Sequence, residues 1–464
     1  MPRPIAAPTI GLHAGSGTVA EDRRRPNETV LSPISPAYIP ATAKPQLTQV
    51  DVHMKIGMTD EKRGVGRGAD PPASLHRVLN GPRCAAWSLG LLLCATVLVL
   101  SSARAANPSR DQAKRLYDRI AGVPASDATL ASMTGMDATQ AALLATQDPA
   151  FYNNTIRNLA APWTNRDQSV FVPLNDYTAT VIGMVRDDVP FNTLLSADLV
   201  YVADSASNTP AYSAANNDMY AALDAGGMDL KAHLAASTQS AVTGIPAAAT
   251  AGVLTTRGAA MAFFVNGTNR AMFRFTMLNH LCHDMEQVQD TTRAADRIRQ
   301  DVSRSPGGDS RIFLNSCVGC HSGMDPMAQA FAYYNFDATS GTLQYTPGQV
   351  QPKYLINSDN FKPGYVTPDD HWDNRWRAGP NSNLGWSQLL SGSGAGAKSL
   401  GAELANSDAF AQCQVEKVFR QVCLRSPSNA ADRSTVTTIV SDFKSNNYSL
   451  KRVFAETAAA CMGN

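Results

Sequence analysis

The sequence predicts a mainly α, multi-helical fold with long irregular loops. Two observations carry this. From residue 109 onward, apolar residues recur at helical spacing behind Asp and Pro residues suited to helix starts. Residues 338–400 break that rhythm: they are rich in Gly, Pro and Asn and hold three of the five Trp residues, which reads as a long excursion between helices. The bulk mixture, 44% hydrophobic and 17% charged, is that of an ordinary globular chain, and 464 residues suffice for two or more domains.

Residues 1–80 differ from the rest. They are rich in Pro, Gly, Ala and Arg and show neither helical nor strand periodicity. Such a segment buries too little apolar surface to offset the entropy of ordering it. It is expected to be disordered, or not translated in the native protein. Residues 81–105 read as a signal peptide. The apolar run Cys84–Leu100 follows Arg77 and Arg83, and Ala103-x-Ala105 fits cleavage after Ala105. The alternative is an uncleaved anchor helix, for which a run of 17 residues is at the short end. Because a signal belongs at an N-terminus, the true start is expected downstream, at Met54, Met58 or Val78.

Residues 106–250 are expected to form a helical N-terminal domain. "RDQAKRLYDRIAGVP" is an amphipathic helix stopped by Gly122 and Pro124. "DATLASM" and "DATQAALLATQ" continue with capping Asp residues, and "DPAFYNNTIRNLAAPW" gives another helix. "PFNTLLSADLVYVAD" reads as a helix or turn running into a short extended piece, and residues 203–250 show weak periodicity. Residues 251–464 are expected to form a second helical domain. It opens with the amphipathic "GTNRAMFRFTMLNHLC", and helices return at 397–424, 432–446 and 449–460 after the excursion.

Six cysteines remain after cleavage of the signal: Cys282, Cys317, Cys320, Cys413, Cys423 and Cys461. An exported chain meets an oxidising compartment, so four of them, Cys282, Cys413, Cys423 and Cys461, are expected in two disulfides. Cys413 and Cys423 lie on one amphipathic helix. Ten residues of helix rise about 15 Å, whereas a disulfide needs Cα atoms within about 7 Å. Each should therefore pair with Cys282 or Cys461, not with the other.

The other two stand in "CVGCHSGMDP", residues 317–326. C-x-x-C-H is the c-type haem attachment signature. Cys317 and Cys320 would form thioethers with the vinyl groups, and His321 would be the proximal iron ligand. A zinc site wants four ligands, commonly from a second such pair, and the sequence has none. A thioredoxin-like site expects a strand before the motif and no ligand role for the histidine. The motif thus predicts one covalent haem c, with helices and long loops around a cytochrome c-like segment. In the flanks, Ile312, Phe313 and Val318 could pack on the porphyrin. Asp325 would cap, and Pro326 begin, a new helix whose stripe of Ala328, Phe331, Ala332 and Phe336 reads as core. The sixth ligand is open: His371, His280 and His283 are candidates, as are Met272 and Met277 upstream, and a water-bound site is the alternative.

"CVGCHSGMDPMAQAFAYYNFDATSG" resembles the haem segment of the planctomycete-type cytochrome c family, with C-x-x-C-H, then Asp-Pro, then an aromatic-Asp and Gly stretch. "DVPFNTLLSADLVYV", "AGVLTTRGAAMAFFVNGTNRAMFRFTMLNHLC" and the last 60 residues are similar to other parts of that family in the same order. Residues 345–385 and the four extra cysteines depart from its pattern. The resemblance implies an exported haem protein linked to electron transfer.

The first expectation is therefore a periplasmic or otherwise exported monohaem cytochrome that passes single electrons. A haem enzyme with an open distal site, peroxidase- or oxidase-like, and a scaffold with structural haem are the alternatives. A redox partner protein is implied without being identified, and peripheral association with a membrane is left open. A net charge of +1 gives no reason to expect a nucleic-acid partner. No Ser-His-Asp pattern, phosphate loop or paired-carboxylate motif stands out. Asp369, Asp370 and Asp373 in "PDDHWDN" could bind a cation, though acidic loops are usually just solvated.

Overall fold

The structure, a computed structural model, describes residues 107–265, 267–297, 311, 313–355 and 365–463. All of them belong to one compact unit, Ala95–Asn464. The segment 1–80 and the expected signal at 81–105 lie outside the described residues. Helices take 57% and strands 7% of the described residues, so the fold is mainly α.

Helix α1 (Arg110–Ala121) begins on a capping box: the Ser109 hydroxyl accepts from the Gln112 amide, and the Gln112 side chain accepts from the Ser109 amide. It stops at Gly122, whose φ of 74° closes the last turn. Ser126, rather than the expected Asp127, caps α2 (Asp127–Thr134), while Asp137 caps α3 (Ala138–Ala145) as expected. The next stretch is less regular than its periodicity suggests. A π turn (Phe151–Ile156) runs into one α turn (Arg157–Ala160) and a 3-10 turn (Ala161–Thr164). Pro162 has no amide hydrogen to give the Asn158 carbonyl, so regular α geometry ends there.

Helix α4 (Asp176–Arg186) is buried along nearly its whole length. At its start, the buried Asp176 accepts from the backbone amides of Arg257 (2.6 Å) and Gly258 (2.8 Å), the first residues of a later helix (Arg257–Phe263). Burial raises the Asp176 pKa, and these two backbone N–H bonds, with that of Tyr177, oppose the rise. Along α4, Gly183 leaves room for the ring of Tyr201 on β1 (Val200–Ala203). β1 pairs antiparallel with β2 (Leu234–Ser237), with Val200 opposite Ser237 and Ala203 opposite Leu234. Between these strands lies α5 (Asp218–Ala225).

After α6 (Arg257–Phe263), helix α7 (Arg270–Thr276) continues as a π turn (Met277–Leu281) that ends at Cys282. Helix α8 (Val318–Ala328) follows a π turn (Phe313–Cys317) and leads through a 3-10 turn into the hairpin of β3 (Tyr334–Asp337) and β4 (Thr342–Tyr345). A second hairpin, β5 (His371–Asp373) with β6 (Ser393–Ala395), sits in the excursion. Its three indoles, Trp372, Trp376 and Trp386, are all buried. The expected helix at 397–424 is two: α9 (Gly396–Ala405) and α10 (Asp408–Cys423). Ser407 separates them by accepting from the Phe410 amide and starting a new cap. Then come α11 (Ala430–Ser445) and α12 (Leu450–Ala460).

The expected division at 250/251 does not separate two cores. Phe151 packs edge-on against Phe454 at 5.0 Å, and Phe191 packs against Phe410 at 6.3 Å. All four belong to one cluster that runs from α1 to α12. Each such ring contributes about 1.5–3 kcal/mol by burial. Two disulfides fasten the same core: Cys282 to Cys413, and Cys423 to Cys461. As the helical rise required, Cys413 and Cys423 do not pair with each other.

Candidate functional site

Helix α8 carries Cys317 at its start, then Cys320 and His321 within its first turn. Both cysteines are half-buried and unbridged, while the other four described cysteines are bridged. What precedes them is a π turn, not the strand a thioredoxin-like site would need. Among the described residues, no group of three or more His, Cys, Asp or Glu side chains converges to hold a metal ion. The two thiols and the imidazole thus share a helical turn without focusing on one point, as zinc would require.

Beside Cys320 opens a cleft of about 540 Å³, within the usual range for cofactor sites. Phe275, Met285 and Met324 give it apolar walls, and Arg166, Arg270 and Arg274 bring guanidinium groups to it. The Cys320 thiol donates weakly to the Met285 carbonyl at 3.4 Å. Burial, reinforced by Cys317, Glu286 and Asp284, raises its pKa and keeps it in the thiol form. Arg274 is held by Asp284 through two bonds of 2.7 and 2.6 Å. Arg166 reaches the backbone carbonyls of Ala262 (2.7 Å) and Val265 (3.4 Å), leaving its charge without a carboxylate among the described residues.

His321 is mostly buried, and its Nδ1 lies 3.1 Å from Oδ2 of Asp325 one turn later. Asp325 is wholly buried and accepts two bonds from Arg270, 2.7 Å from Nε and 3.0 Å from a terminal nitrogen. The expected role of Asp325 as a helix cap is thereby corrected. The helix runs on through Pro326 to Ala328, and Asp325 faces inward to the arginine and the histidine. Pro326 costs the helix one hydrogen bond near its end, where the backbone is already passing into a 3-10 turn. Of the flanking residues, Ile312 and the Phe313 side chain lie outside the described residues, and Val318 is half-buried.

The three histidines considered for the sixth ligand sit elsewhere. His280 is fully buried, its Nε2 2.6 Å from the Tyr177 hydroxyl and its ring edge-on to Trp163. Burial, with the nearby Lys417, drives its pKa well below the usual value, so it is neutral. His283 turns Nδ1 to the Leu281 carbonyl at 2.6 Å and lines a different cavity, with Asp408 and Lys444. His371 is half-exposed on β5, 3.5 Å from Asp373. Met272 and Met277 are buried in the core. None of these five lines the cleft; its methionines are Met285 and Met324. Asp369, Asp370 and Asp373 do not gather round a cation point: Asp373 pairs with Arg297 at 2.7 Å, and Asp369 accepts from Gln329 at 3.1 Å.

The residues sequence reasoning missed are Arg166, Arg270, Phe275 and Met285, which stand far from the motif in the chain. Asp325 was within reach, because residues four apart on a helix share a face. No protein family, curated protein or solved structure matches the chain.

Proposed function

We propose that the protein is an exported monohaem c-type cytochrome that carries single electrons, similar to the planctomycete-type family its motif resembles. The observation that carries this reading is the selective pairing of thiols. Among the described residues four cysteines are bridged, and two, the pair spaced for haem vinyl groups, are left unbridged, with Cys320 lining a cleft that has apolar walls. Cys320 and the apolar walls of the cleft suit the cofactor. Cys317 and Cys320 would hold it, His321 would ligate its iron, and Phe275, Met285 and Met324 would exclude water. Arg166 suits a propionate, since a guanidinium matches a carboxylate fork. Bound there, haem supplies a one-electron Fe(III)/Fe(II) couple. Two disulfides support export, because such bonds persist in oxidising compartments.

The test is expression with the cytochrome c maturation machinery, followed by acid-acetone extraction and a pyridine haemochrome spectrum. One covalent haem per chain is expected, with the colour staying on the protein. Loss of all pigment into the solvent, or a protein that never takes up haem, would overturn the reading.

A further inference from the structure

The His321–Asp325–Arg270 arrangement goes beyond what attachment needs. We infer that Asp325, clamped by Arg270, is a positioning residue that fixes the tautomer of His321 and sets the iron potential. The inference rests on the haem reading above.

Asp325 has no exposed side-chain surface. A buried carboxylate is tolerated when its charge is met and its oxygens accept hydrogen bonds. Arg270 does both with its two bonds, so Asp325 serves through its carboxyl oxygens as an acceptor in this arrangement. Its contact with His321 at 3.1 Å therefore places the proton on Nδ1 and leaves the lone pair on Nε2. That is the tautomer an axial ligand must present. A carboxylate behind a ligating histidine also makes the imidazole a stronger donor, which stabilises ferric over ferrous iron. Arg270 works against that electron push, because its positive charge draws on the same carboxylate.

The two charges thus predict shifts of opposite sign. In the haem-loaded protein, Asp325→Asn removes the negative charge and should move the ferric-to-ferrous preference about tenfold toward ferrous, a rise of about 59 mV for a one-electron couple. Arg270→Gln should move it the other way. A merely loosened pocket would admit water, favour the ferric state and lower the potential in both variants. A rise in Asp325→Asn alone therefore separates tuning from packing.

The experiment is spectroelectrochemical titration of wild type and both variants, with covalent haem counted by the pyridine haemochrome. An unchanged or lowered potential in haem-loaded Asp325→Asn would overturn the inference while leaving the haem reading intact. Should neither variant keep its haem, nitrogen NMR of wild type labelled at histidine decides. A protonated Nδ1 on His321, hydrogen-bonded and slow to exchange, supports the inference, and an Nδ1 without that proton overturns it. A wild type without covalent haem would remove the haem reading, and this inference with it.

Discussion

The indole of Trp376 occupies the space where a β-carbon on Gly323 would stand: a carbon built there comes within 1.9 Å of Nε1. Trp376 is fully buried, belongs to the excursion between β5 and β6, and also meets Phe273 of α7 at 5.9 Å. The excursion thus packs against the helix that carries the two thiols.

Gly323→Ala should force the indole off the helix. Overpacking a well-filled core costs about 1–3 kcal/mol, and this contact is at the severe end because the ring is rigid. Chemical denaturation should show the loss as a lower midpoint with an unchanged slope. A midpoint equal to wild type would mean that Trp376 does not lie against α8.

Thiol accounting gives a second prediction. In denatured, unreduced protein, labelling should leave Cys282, Cys413, Cys423 and Cys461 untouched, because each sits in one of two bridges. Peptide mapping should recover Cys282 with Cys413 and Cys423 with Cys461. Closing chain separations of 131 and 38 residues restricts the unfolded chain, so Cys282→Ser with Cys413→Ser should cost about 2–5 kcal/mol. Any peptide joining Cys413 to Cys423 would refute the geometry.

How much of this was legible follows from the range of each interaction. The α1 capping box and its glycine stop are settled within four residues, and the sequence displays them directly. So is the incompatibility of Cys413 and Cys423, since helical rise alone decides it. The break at Asn406–Ser407 was hidden because Ser407 can sit in a helix or cap one, and its neighbours fit both. The cleft was hidden for another reason: Arg166, Phe275 and Met285 reach it from three separate stretches of chain. His280 misled because a histidine beside a cysteine looks like a ligand. What decides its state is burial, with Lys417 nearby, and its Nε2 is taken up by the Tyr177 hydroxyl, 103 residues away.

Acid should weaken the fold through Lys417 and His280. Lys417 keeps some exposed surface, but its ammonium points inward to the Asn279 carbonyl at 2.5 Å and lies 4.4 Å from the Trp163 ring. Burial, with a smaller push from Arg420, lowers its pKa to about 7. The unfolded chain therefore binds the extra proton between about pH 7 and the ordinary lysine value, and stability rises with pH across that window. His280, also lowered, adds the same sign below its ordinary value, so stability falls further as the pH drops past it. Lys417→Met should gain about 2 kcal/mol near pH 6, allowing for partial exposure, and little at pH 10. Denaturation midpoints at several pH values check this. A pH dependence identical in Lys417→Met and wild type would contradict the assignment.

The motif itself gives the last prediction. Cys317 and Cys320 tether the haem in the proposed reading, but the iron's electronics depend on its axial ligands and on how dry the cleft is. His321→Ala keeps both thiols and removes the nitrogen that Asp325 orients. Haem yield should fall about tenfold or more, since ligand-shell losses of that size are usual. Any haem that does attach should be high-spin and bind carbon monoxide. Cys317→Ser or Cys320→Ser should lower covalent attachment yet leave the imidazole in place, so the haem they retain should extract partly into acid-acetone. The two classes of variant therefore separate attachment from ligation by independent readouts. Full haem loading with an unchanged reduced spectrum in His321→Ala would show that another residue holds the iron, and the role given to the Asp325–His321 pair would fall with it.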